Sequence, residues 1–218
     1  MIMGLKDVRI AETPISNNRK IINTIAVFLL GIILGTFSKY LDFRQSELPS
    51  VLMAIDEISD LHNFLGRFAI WVLIAMFISI YSNSALRAGI NVFIFFVAMV
   101  SSYYLYSKFI AGFFPRSYAM IWIGFTVVSP LLAFVCWYAG GKSKLAFILS
   151  VTILAVLFDM CFAYGWGYFE ARSTLELLVF ILGFILLKRD SIKSSLLMGT
   201  LSIVLAFLIQ MAIPIHFG

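Results

Sequence analysis

Seven stretches of this chain are nearly continuous apolar runs, and that recurrence restricts the fold more than any motif does. They lie near Ile21–Phe37, Phe68–Tyr81, Ala88–Tyr106, Tyr118–Tyr138, Leu145–Tyr164, Thr174–Leu187 and Ser195–Ile213. A hydrocarbon core about 30 Å thick takes roughly 20 helical residues at a rise of about 1.5 Å each. The second and sixth runs are short: the second begins inside a preceding helix, and the sixth either crosses or re-enters. The pattern predicts an all-α polytopic transmembrane helix bundle of about seven spans, or six if the sixth run turns back.

Composition closes off the soluble alternative. Hydrophobic residues make up 62% of the 218 and charged residues only 12%, about half the charged fraction of a soluble domain. A water-facing surface for a chain of this length could not be covered with so few polar groups. The net charge of +5 does not point to nucleic acid, because the sixteen Lys and Arg residues are scattered between apolar runs. Residues 1–20 are polar and form an expected cytoplasmic segment; the run after them is long enough to span, so no cleaved signal peptide is expected. Residues 21–218 form one transmembrane domain. Cys136 and Cys161 fall near opposite faces of this layout, so no disulfide joins them.

Orientation follows from the cations. With the N-terminus inside, the inner connections hold Lys6, Arg9, Arg19, Lys20, Arg87, Lys142, Lys144, Lys188, Arg189 and Lys193. The outer ones hold Lys39, Arg44, Arg67, Lys108, Arg116 and Arg172, with most of the acids, including Asp42, Asp56, Asp60 and Glu176. Ten against six places the C-terminus outside in a cell membrane.

The long outer connection, Ser38 to Arg67, has helical periodicity. Asp56, Asp60, Asn63 and Arg67 share one face, while Leu52, Ile55, Ile58, Leu61 and Leu65 share the other. Pro49-Ser50 marks its start. The spacing predicts one amphipathic helix on the outer surface, serving as a connector or as a lid.

Asp159, in LAVLFDMCFAY, sits roughly 21 Å up a core about 30 Å thick. An ionisable group at depth costs at least about 2.5 kcal/mol and faces a cavity or a partner. Either it bonds a neighbouring Tyr, Ser or Trp, or it meets a solute. Ser101, Ser102, Tyr103, Tyr104, Trp122, Thr126, Tyr164 and Gln210 fall in the same outer layer. That layer reads either as an interfacial aromatic belt or as a pocket, with Asp159, Tyr103, Tyr104, Trp122 and Gln210 as its substrate-binding residues.

Gly31-Ile-Ile-Leu-Gly35 is a GxxxG, continued on the same face by Ser38, and predicts close helix packing within the chain, in a homodimer or onto a partner membrane subunit. Lys39 and Asp42 are spaced to pair. Pro130 frees the carbonyl of Thr126 inside the fourth run. His62 and His216 lack metal-site spacing. There is no HExxH, no GxSxG and no full phosphate-loop motif around Gly140-Gly141-Lys142-Ser143, so neither a catalytic centre, a cofactor nor a metal is expected.

The stretches GIILGTFSKYLD and RSYAMIWIGFTVVSPLLAFVCWYAGGK resemble segments of small, uncharacterised bacterial multi-spanning proteins. In size, and in lacking an ATPase, the chain is similar to the substrate-binding membrane subunits of energy-coupling-factor vitamin transporters. That likeness implies six helices, an outward-facing pocket and a small-residue first helix that docks on a coupling subunit. Here the count is seven, and the first run carries GxxxG instead of alanine spacing. The expectation is a bilayer protein that binds or transports a small solute; the alternatives are a non-catalytic subunit packing through Gly31 and Gly35, or an intramembrane enzyme.

Overall fold

A computed structural model describes residues 7–11, 15–44, 47–165 and 167–212; His216 and the end of the seventh run lie outside them. Each of the seven apolar runs is a helix. Five are long and apolar enough to cross a membrane: α1 (Asn17–Phe43), α5 (Ala85–Phe109), α6 (Arg116–Ala139), α7 (Lys144–Cys161) and α9 (Ile192–Ala212). Two are shorter, α4 (Phe68–Ile80) and α8 (Thr174–Leu187), with 13 and 14 residues. The fold is an all-α bundle whose lipid-type surface is plain on α6, where Met120, Val127 and Leu131 are 68%, 67% and 65% exposed. Water would not tolerate so many bare aliphatic side chains on one face, whereas hydrocarbon does. The protein is embedded in a membrane.

Local chemistry starts the helices. Ser16, Ser84, Ser143 and Ser173 each cap a helix by accepting backbone N–H groups through the side-chain oxygen, satisfying donors that a helix start leaves open. Inside α6, Pro130 cannot donate to the Thr126 carbonyl, and Ser129 Oγ donates to it instead at 2.8 Å. The helix therefore runs through its proline without an orphaned acceptor.

The GxxxG face is used within the chain. It lies against α5, where a Cβ added at Gly31 would come within 2.9 Å of Ala98 Cβ and 3.1 Å of Met99 N. At Gly35 it would meet the Met99 carbonyl and the Ser102 hydroxyl. Ser38 is buried and donates to the Leu65 carbonyl at 3.4 Å. A homodimer or partner subunit would have to use another face.

Three expectations are corrected. The outer connection is two helices, α2 (Ser50–Ser59) and α3 (Leu61–Gly66), broken at Asp60, whose φ of 53° is left-handed. Aspartate tolerates that conformation better than most residues, and Asp56 Oδ1 accepts the His62 N–H at 2.8 Å, capping the new helix start. The expected faces hold only in part: Leu65 is buried and Asn63 exposed, but Ile55 and Ile58 are 45% and 87% exposed while Asp56 is buried. Finally, the helix of the fifth apolar run, α7, ends at Cys161, and Tyr164 stands on a strand. A two-stranded antiparallel hairpin, β1 (Phe162–Gly165) with β2 (Tyr168–Ala171), follows. Gly167, at φ 89°, supplies the positive dihedral that a tight hairpin turn requires.

Candidate functional site

The two ends of the bundle are built differently. At the basic end, arginines reach backbone carbonyls. Arg9 donates to Ile80 O and Trp137 O, both at 2.9 Å. Arg87 donates to Lys20 O at 3.0 Å. Arg189 donates to Gly141 O at 2.6 Å and Ala146 O at 2.7 Å, and also bonds Ser150. Burial pulls the Arg189 pKa down from its ordinary value, but guanidinium remains charged at any physiological pH. These groups close the helix ends and tie them together.

At the hairpin end the two short helices begin side by side. Each is about 20 Å long at about 1.5 Å per residue, well short of the 25-residue α5 and the 24-residue α6 beside α4, so their starts are recessed. One guanidinium joins them. Arg67, just before α4, donates to Glu176 Oε1 in the first turn of α8 at 2.9 Å and to Asp60 Oδ2 at 2.6 Å. Glu176 is wholly buried and also accepts from the Ser173 hydroxyl. Burying a carboxylate in an apolar interior is costly unless its oxygens are matched, and here both Glu176 oxygens accept a donor.

Above the recess, between α1, α3, α4, α5, α6 and the end of the hairpin, lies a cleft of about 630 Å³. Phe68 and Trp122 stack in its wall, ring centroids 4.5 Å apart. Tyr103 and Tyr104 meet edge to face at 5.0 Å. Tyr118, His62, Asn63, Arg67 and Arg172 complete the polar lining. Lys39, 2% exposed, pairs with Asp42 as its spacing predicts and sits 4.5 Å from the Phe113 ring centre. The Tyr103 hydroxyl donates to Asp42 at 3.4 Å. His62 Nδ1 lies 2.8 Å from Asp56 Oδ2. The Tyr104 hydroxyl is buried and has no hydrogen-bond partner among the described residues. Phe125, 5.6 Å from Phe68 and 5.3 Å from Phe96, forms a ring layer beneath the cleft. Under that layer is a smaller apolar groove of about 260 Å³ between α4, α5, α6 and α7.

Of the five residues expected to bind substrate, Tyr103, Tyr104 and Trp122 line this cleft, and Asp159 and Gln210 do not. Those two meet elsewhere. Asp159 Oδ1 accepts from the Tyr164 hydroxyl at 3.0 Å, and Gln210 Nε2 donates to the Tyr164 carbonyl at 3.0 Å. This cluster ties the hairpin to α7 and α9. Burial, and then the Asp159 carboxylate, push the Tyr164 pKa up, so its hydroxyl keeps its proton and remains the donor. Thr126 and Ser102 each bond a carbonyl of their own helix, at 2.8 and 3.0 Å. Ser101 is exposed. Both cysteines are free and buried.

Sequence reasoning missed the Arg67–Glu176 bridge. Ser173-Thr-Leu-Glu176 has the spacing of a capping box and could have placed Glu176 in a helix start. Nothing in one sequence pairs it with a cation 109 positions away. Comparison with protein-family models, curated proteins and solved structures finds no match to this chain.

Proposed function

We propose that the chain crosses the cell membrane seven times, with its N-terminus in the cytoplasm and its C-terminus outside, and binds a small solute in the outer cleft as a binding or transport component. One observation carries this reading: the cleft of about 630 Å³ gathers stacked rings and polar side chains from α3, α4, α5 and α6. That size and mixture suit a small-molecule site, for which about 300–1,000 Å³ is ordinary. The excess of cations at the end remote from the cleft supports the orientation. On the resemblance to substrate-binding subunits of energy-coupling-factor transporters, a separate ATPase-bearing partner would supply the energy. The Gly31–Gly35 face is not the surface that meets it, since α5 fills that face.

The test is to extract bound small molecules from the purified, detergent-solubilised chain and identify them by mass spectrometry. Wild type should retain a solute that Trp122→Ala loses by at least about tenfold, given what an aromatic stacking partner contributes. A wild-type protein that carries nothing, and that no member of a metabolite panel stabilises against heat, sinks the proposal.

A further inference from the structure

The cleft is specific about charge, although it contains several charged groups. Asp42, Arg67 and His62 are already matched. Asp42 is paired with Lys39. Arg67 is shared between Asp60 and Glu176. The His62 ring faces both oxygens of Asp56, at 3.0 and 2.8 Å. Arg172 has contacts of its own within the protein. A charged solute entering here would lose its hydration and find Asp42, Arg67 and His62 already committed. Removing one protein partner to serve it would strand the other in a poorly solvated site.

The uncharged side chains tell the opposite story. Tyr104 is 7% exposed and lines the cleft, yet its hydroxyl has no hydrogen-bond partner among the described residues. A buried hydroxyl left in that state is costly. It is an unmatched hydrogen-bonding group on a residue that lines the cleft. Around it stand flat surfaces: Trp122 stacked on Phe68, with Tyr103 against Tyr104. Rings of this kind hold planar solutes by stacking and make no demand for charge.

Resting on the cleft as the solute site, we infer that its ligand is an uncharged, planar, ring-bearing molecule with a hydrogen-bonding group that meets the Tyr104 hydroxyl. Neutrality is selected by the closed ion pairs, planarity by the rings, and position by Tyr104. Asp159 takes no part, being engaged with Tyr164 outside the cleft.

A charge series on one scaffold tests this. Hydroxynaphthamide, its carboxylate counterpart hydroxynaphthoate and its cationic counterpart hydroxynaphthamidine share rings and size. Each is titrated into the purified full chain in nanodiscs, with binding read from probe fluorescence anisotropy. The neutral probe should bind at least about tenfold more tightly than either ion, the order expected when a buried counter-charge is missing. Tyr104→Phe should lower neutral-probe affinity by about tenfold and raise or preserve the melting temperature, because it deletes a hydroxyl that has no partner among the described residues. A merely structural tyrosine would lose stability, and probe partitioning into lipid would be unchanged by the variant. If the carboxylate or amidinium binds best, or Tyr104→Phe binds as wild type, the inference is wrong while the cleft remains a solute site. If none of the three binds, and no solute is retained on purification, both readings fall together.

Discussion

The basic end and the hairpin end of this bundle use the same residue, arginine, for opposite purposes. Arg9, Arg87 and Arg189 each donate to backbone carbonyls at helix ends, with Thr24, Asn91 and Ser150 adding neutral side-chain acceptors, so the basic end is closed without a carboxylate on these three. Arg67 spends its own on two carboxylates, Asp60 and Glu176, that particular side chains must supply. A carbonyl lock needs only a helix terminus nearby. A carboxylate lock needs chosen partners, and here it spans the starts of two short helices and leaves a recess above them. The lesson is that the open end is held by side-chain chemistry, and that is where substitution should reveal function.

The largest expected effect falls on that bridge. Arg67→Ala would leave the fully buried Glu176 carboxylate without its cation, at a cost of about 3–5 kcal/mol. Thermal melting in detergent should show the loss, and adding Glu176→Gln should recover part of it. Equal melting of single and double variants would mean that the bridge is not what holds this end. At the basic end, Arg189→Ala should cost about 1.5–3 kcal/mol, the range for hydrogen bonds to a charged group. If it proves more damaging than Arg67→Ala, the contrast between the ends is reversed.

Overpacking comes next. Gly35→Ala places a methyl against the Met99 carbonyl and should cost about 1–3 kcal/mol. It should leave the oligomeric state on size-exclusion chromatography unchanged, because the glycine face contacts α5 of the same chain. The smallest effect should be at Asp159. Asp159→Asn keeps an acceptor for the Tyr164 hydroxyl and should lower stability by about 1 kcal/mol or less. Solute retention should stay at the wild-type level, since Asp159 lies outside the cleft lining. Loss of retention with unchanged melting would return Asp159 to the site.

Much of this was legible in advance, for identifiable reasons. The apolar runs located all seven bundle helices because lipid demands continuous apolar length, and length is a local property. GxxxG announced a close approach because only glycine permits it, but its partner, α5, was not written there. The outer layer held Tyr103, Tyr104 and Trp122 together with Asp159 and Gln210. Depth along a helix comes from counting residues, and it could not say toward which neighbour each side chain turns. Asp60 broke a helix that looked continuous because a periodic pattern survives one left-handed residue. Asp56 turned inward there, against the expected pattern, because a carboxylate can be buried once a partner such as His62 is supplied from beyond the break.

The sequence by itself determined the solvent, the helical class and the placement of the bundle helices, since each depends on the hydropathy of consecutive residues. Only the tertiary structure decided that two short helices start together, that Arg67 joins Asp60 to Glu176, and that Asp159 serves the hairpin instead of the cleft. Those outcomes depend on contacts between residues as far as 109 positions apart, and hydrogen bonds and ion pairs act over a few ångströms of space whatever their separation along the chain.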